Sequence, residues 1–169
     1  MQKWIKISFV IYILILIKLI IFKYPYEQLV GIISSWQSEV FIEGLESANF
    51  MPFKTIKMYI EYSDRLNSFE NLVGNILAFV PFGMMLPLTN AKLKNFGSVL
   101  LNAFVLVLGI ELFQCFTSLG AFDVDDIILN CFGVFIGYVI YIKSRSMIPA
   151  FDKIARMEEE KYGADLEEN

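Results

Sequence analysis

Four apolar blocks, Trp4–Phe22, Leu72–Leu88, Phe96–Phe116 and Ile127–Ile142, constrain this 169-residue chain more than any other feature. A helix needs roughly 17–25 such residues to cross the hydrocarbon of a bilayer, and these blocks are close to that length. In hydrocarbon the backbone must satisfy its own hydrogen bonds, so blocks of this kind enter as helices. Apolar residues make up 56% of the chain and charged residues 19%. A soluble domain has nearer a quarter charged, and here the apolar excess falls in blocks. The sequence therefore predicts an all-α integral membrane bundle of four transmembrane helices. A net charge of −4 argues against a nucleic-acid partner. The absence of histidine removes the commonest general base and transition-metal ligand. Cys115 and Cys131 lie inside apolar blocks and read as reduced packing residues.

Between the blocks the chain is polar. Pro25 closes the first block, and the acidic segment from there to about Glu70 is too polar to span. Within it, Ile56, Tyr59 and Ile60 share one helical face of Phe53–Tyr62. This predicts a short interfacial helix on the membrane in the first extracellular loop, entered by a turn at Asn49–Phe53. Pro81-Phe82-Gly83 is expected to interrupt and kink the second block. Residues 1–145 form the expected transmembrane domain, and the charged segment 146–169 a solvated or frayed cytoplasmic tail.

Three basic clusters set the expected sidedness: Lys3 and Lys6, Lys92 and Lys94, Lys143 and Arg145. With four spans all three fall on one side, which the positive-inside rule makes cytoplasmic, so both termini are expected there. Depth then gathers the polar side chains. Asn71 and Asn75 begin the second block, Glu111 and Gln114 end the third, and Asp123, Asp125, Asp126 and Asn130 lie at the start of the fourth. Lys18, late in the first block, either snorkels to the interface or turns inward toward a carboxylate. Buried acids are costly in a membrane and mark functional sites by default. The competing reading is that these groups glue the helices through hydrogen bonds, as Gly133 and Gly137 would by allowing close packing.

The stretches NFMPFKTI (Asn49–Ile56), NLVGNILAFVPFGMMLP (Asn71–Pro87), IELFQ (Ile110–Gln114) and FDVDDIILNCFGVFIGY (Phe122–Tyr138) resemble, in that order, the VanZ-like family of bacterial membrane proteins. The resemblance covers about residues 49–141. It implies a membrane protein associated with lowered susceptibility to teicoplanin, a glycopeptide antibiotic. It supplies no reaction. Family members often carry an arginine before the FDxDD stretch. Thr117–Ala121 has none here, and Lys18 and Arg65 are the basic residues weighed in its place.

Two site readings follow, beside a structural or partner-binding one. In the first, Asn49, Asn71, Asn75, Glu111, Gln114, Asp123, Asp125, Asp126 and Asn130 bind a polar membrane lipid or a lipid-linked envelope precursor at the outer leaflet. In the second, Asp123, Asp125, Asp126 and Glu111 hold Mg²⁺, Mn²⁺ or Ca²⁺, hard cations suited to carboxylate oxygens. Such an ion would serve an enzyme acting on a lipid-linked substrate, with Glu111 and Asp126 as candidate catalytic groups. Against the second, Asp123 is also placed to cap the fourth helix.

Overall fold

Apolar segments account for the four long hydrophobic helices of the computed structural model. It describes residues 2–21, 44–62, 68–117 and 119–167, with single positions at 27, 30, 31, 34 and 42. Much of the first half of the expected first extracellular loop, and Arg65, lie outside the described residues. The elements are α1 (Gln2–Ile21), α2 (Lys54–Glu61), α3 (Ser68–Thr89), a 3₁₀ turn (Ala91–Leu93), α4 (Phe96–Thr117), α5 (Val124–Met147) and α6 (Pro149–Glu167). Three of them, α3, α4 and α5, are long and apolar enough to cross a membrane.

Helix α4 shows the logic most plainly. Val99, Ala103, Val107, Ile110, Glu111 and Gln114 are all buried. Their spacing of three and four residues places them on one stripe. Leu101, Val105, Leu112 and Phe113 face outward, as lipid-facing side chains would. Asn95 starts the helix, its Oδ1 accepting the Ser98 N–H at 2.8 Å. Asn90 does the same for the 3₁₀ turn, accepting from Lys92 at 3.0 Å.

The centre of the bundle is the contact between α3 and α5. A Cβ at Gly133 would strike the Ile76 carbonyl oxygen, one at Gly137 the Val80 carbonyl oxygen, and one at Gly83 the Val134 carbonyl oxygen. Three glycines thus bring two backbones together where any side chain would hold them apart. Helix α3 runs through Pro81 and Pro87 as one element, so the expected interruption is not seen. Its inward residues Phe79, Phe82 and Leu86 meet Val99, Ala103, Val107 and Val134 in the main core.

Helix α1 lies against this core through Leu16, with Phe9, Tyr12 and Ile13 alongside. The Tyr12 hydroxyl donates to the Ala78 carbonyl of α3 at 2.7 Å. Both cysteines are free thiols.

One expectation fails outright. The segment read as a solvated or frayed tail is helix α6, docked on the bundle. Ile154 and Ala155 are buried with Leu88 and Tyr141 in a second apolar cluster. Arg145 bonds Asp152 at 3.2 Å and Glu159 at 2.9 Å, while Lys94 reaches Glu159 at 3.4 Å. Those cations hold the Glu159 carboxyl below its ordinary range. Charge dominates the composition of this segment, and the two adjacent apolar residues that dock it leave little mark on its hydropathy.

Candidate functional site

The nine polar residues singled out from the sequence divide into two neighbouring groups. Asn49, Asp123 and Asp125 form a latch. Asn71, Asn75, Glu111, Gln114, Asp126 and Asn130 line a pocket.

The latch begins with backbone pairing. Asn49 and Asp123 form an isolated parallel bridge: the Asn49 N–H donates to the Phe122 carbonyl at 2.7 Å, and the Val124 N–H to the Asn49 carbonyl at 3.0 Å. Asp123 caps α5, its Oδ1 accepting the Asp125 N–H at 2.8 Å. The same oxygen accepts from Asn49 Nδ2 at 2.8 Å, and Oδ2 accepts the Thr55 hydroxyl at 2.6 Å.

Asp125 does something different. It is fully buried. Its Oδ1 accepts the Phe53 N–H at 2.5 Å, and its Oδ2 accepts those of Thr55 and Ile56 at 2.7 and 3.1 Å. These donors open α2, whose own N-cap, Phe53, makes no side-chain cap bond. The first N–H groups of any helix lack intrahelical acceptors. Here a carboxylate from another helix supplies them, and its charge suits the positive end of the helix dipole. Phe53 sits at φ 65°, a left-handed conformation uncommon for a bulky residue. The bonds on either side of it hold that conformation.

One residue on, Asp126 points elsewhere. Successive helix residues are turned by about 100°, so Asp126 faces α3 while Asp125 faces α2. Asn75 Nδ2 donates to Asp126 Oδ1 at 2.6 Å. This contact is one wall of a cavity of about 330 Å³ lined by Leu19, Tyr59, Asn71, Asn75, Glu111, Gln114, Gly120, Ala121, Asp126 and Asn130. Glu111 is 2% exposed, Gln114 6% and Asn130 5%. Glu111 also reaches the latch, where its Oε2 accepts the Asp123 N–H at 3.0 Å.

Asn130 Oδ1 is the buried side-chain atom with no hydrogen-bond partner among the described residues. A buried acceptor left unmade costs about 1–3 kcal/mol, which a ligand donor in the pocket would remove.

The sequence pattern overlooked Tyr59, reading it only as part of an apolar face with Ile56 and Ile60. Tyr59 lines the pocket, whereas Ile60 is 65% exposed. Burial pushes the Tyr59 phenol up and Asp126 adds to the rise, opposed by a hydrogen bond from Asn71. The phenol is therefore a neutral hydrogen-bonding group at ordinary pH. Its polar tip at helical spacing from Ile56 was the available signal. Thr55 was overlooked as well, although it lies within the NFMPFKTI stretch. Lys18 is exposed, in keeping with the snorkelling alternative.

The four proposed metal ligands do not come together. Both oxygens of Asp125 accept main-chain N–H groups, and both oxygens of Asp123 accept protein donors. Among the described residues no three acidic or thiol side chains converge as a group able to hold a metal ion. These residues do not fit the hard-cation site expected of them, because two of the four are committed to building the fold.

The class this defines is a multi-pass, all-α membrane protein with a small polar pocket set into an apolar bundle. The chain belongs to the VanZ/LLP1 family, whose profile matches residues 9–148. It is similar to Protein VanZ of Enterococcus faecium, with 32% identity over 133 residues, 78% of this chain and 69% of the relative. No solved structure matches it.

Proposed function

We propose that this protein spans the cell membrane four times, with α1 as the first span and both termini in the cytoplasm. In this reading its pocket, opening toward the outer leaflet, binds the polar head of a lipid or of a lipid-linked envelope precursor. By holding such a molecule it lowers susceptibility to teicoplanin-type lipoglycopeptides, which act at the same surface. The observation that carries the reading is the pocket itself. Two acids, four amides and a phenol line one cavity inside a bundle whose main core is apolar. Gluing helices needs pairwise hydrogen bonds. It does not need a cavity with an unmatched acceptor in its wall.

Helix α2 supports the placement. Phe50, Met51, Phe53 and Ile60 around it are all more than 60% exposed, and an apolar fringe of that kind is stable when sunk into the headgroup boundary. It would then lie beside the pocket mouth, at the depth where a lipid head sits.

The test is a comparison of Asp126→Asn and Asp126→Glu in cells and after purification. The reading expects Asp126→Asn to lose both co-purifying lipid and protection against teicoplanin, and Asp126→Glu to keep most of each. Unchanged lipid content and susceptibility in both variants, at equal expression, overturns it.

A further inference from the structure

The chemistry of the pocket wall narrows what can occupy it. Resting on the headgroup-binding reading above, we infer that the occupant is a hydroxyl-rich headgroup, of the kind a glycosyl unit provides, with one hydroxyl donating to Asn130 Oδ1.

Asn130 is the starting point. It is 95% buried and lines the cavity, and its oxygen has no donor among the described residues. The occupant must therefore bring a donor to that atom. Three kinds of polar head bear on the choice. A phosphodiester offers only acceptors and a phosphomonoester has mostly lost its last proton at neutral pH, so each is a poor partner for Asn130 Oδ1, and no lysine or arginine stands among the described lining residues. An ammonium offers only donors. It could satisfy Asn130 Oδ1 and the two carboxylates, but it can accept nothing from the amide and phenol donors of the wall. A hydroxyl is both donor and acceptor. Asn71, Asn75, Gln114 and Asn130 each present one amide of both kinds, beside the Tyr59 phenol and the carboxylates of Glu111 and Asp126. A cluster of hydroxyls can answer every one of these groups. The volume, about 330 Å³, is at the small end for ligand pockets and suits one compact head rather than a polymer.

The experiment places the full chain in phosphatidylcholine nanodiscs and reads retained lipid by native mass spectrometry. Separate arms are doped with monoglucosyl-diacylglycerol, phosphatidylethanolamine or phosphatidic acid. The expected result is preferential retention of the glucosyl lipid, at least tenfold weaker in Asn130→Leu and several-fold weaker in Asn71→Ala. Asn71 is exposed at the start of α3, so Asn71→Ala decides the matter if Asn130→Leu fails to fold. Free methyl glucoside distinguishes the sources. Competition only at concentrations far above the glucosyl lipid assigns the head to a lipid, while equal competition assigns it to a free sugar. Preference for phosphatidylethanolamine or phosphatidic acid overturns the hydroxyl assignment and leaves the lipid-binding reading standing. Undiminished glucosyl-lipid binding in both variants also overturns it. Retention of no doped lipid, together with unchanged susceptibility in the Asp126 pair, brings down both.

Discussion

Asp125 and Asp126 are neighbours in sequence, identical in chemistry, and employed differently. Asp125 belongs to the latch, where every partner is a main-chain N–H and both oxygens are engaged. Asp126 belongs to the pocket, where it accepts from another side chain, Asn75, and open volume lies beside it. A carboxylate whose acceptor capacity is used on backbone is part of the scaffold. One held at a cavity wall by an amide is placed to meet something else. Residue type and burial do not separate the two, since Glu111 and Asp125 are both buried and sit on opposite sides of this division. The identity of the partners does.

That contrast can be broken most directly at Asp125. Asp125→Ala strands three N–H groups at the start of α2, and bonds to a charged acceptor contribute about 1.5–3 kcal/mol each. The expected loss exceeds about 3 kcal/mol, read as a large fall in melting temperature in detergent or as failure to accumulate. A stable Asp125→Ala protein lacking only ligand binding would move Asp125 into the pocket group and dissolve the distinction.

Second comes the pocket. Glu111→Gln and Asp126→Asn are expected to change stability by no more than about 1 kcal/mol, while lowering lipid retention at least tenfold. Melting curves and mass spectrometry on the same preparations test the pair of statements together. Glu111 gives the sharper result of the two, because it also accepts the Asp123 N–H. Glu111→Gln keeps an oxygen for that bond and removes only the charge.

A smaller effect is expected from Thr55→Val, which removes the hydroxyl that donates to Asp123. One bond to a charged acceptor is worth about 1.5 kcal/mol at the low end, so thermal unfolding should show a modest loss with lipid retention unchanged. Smallest is the effect at α6, distant from both regions. The Glu159 carboxyl lies below its ordinary value of 4.5 because Arg145 bonds it. A depressed acid stabilises docking fully above its undocked value and loses that contribution as pH falls through the docked one. Docking of α6 should therefore hold above about pH 4.5 and weaken below it. Arg145→Ala should weaken that dependence, leaving the smaller part due to Lys94, at a cost near 1 kcal/mol or less. Limited proteolysis of α6 across pH 3–6 reads both, and neither change should touch lipid retention.

Much of this was legible in the chain. Apolar blocks locate α3, α4 and α5 because hydropathy is a property of composition, and composition survives without tertiary knowledge. Asn75, Glu111, Gln114, Asp126 and Asn130 converge because depth along each helix is readable once sidedness is assumed. Gly133 and Gly137 announce close packing, which α3 fulfils. The cap at Asp123 was readable from its position before an apolar run. What stayed hidden depends on the angle around a helix rather than the depth along it. Asp125 and Asp126 share a depth, and only the path of the chain from Asn49 to Ile56 decides which of them meets main-chain donors. Tyr59 reaches the pocket only because Asp125 orients α2. The docking of α6 rests on Ile154 and Ala155, too few residues to alter the hydropathy of a charged segment.

Asp125 grips α2 by its main chain. Main-chain N–H groups are the same whatever residue carries them. The outward side chains of α2 are thus relieved of the task of fastening it, and that surface is free to vary among chains built on this plan. A different bilayer, or a different guest at the pocket mouth, can be met by rewriting Met58, Ile60 or Tyr62 while the helix stays seated where it is.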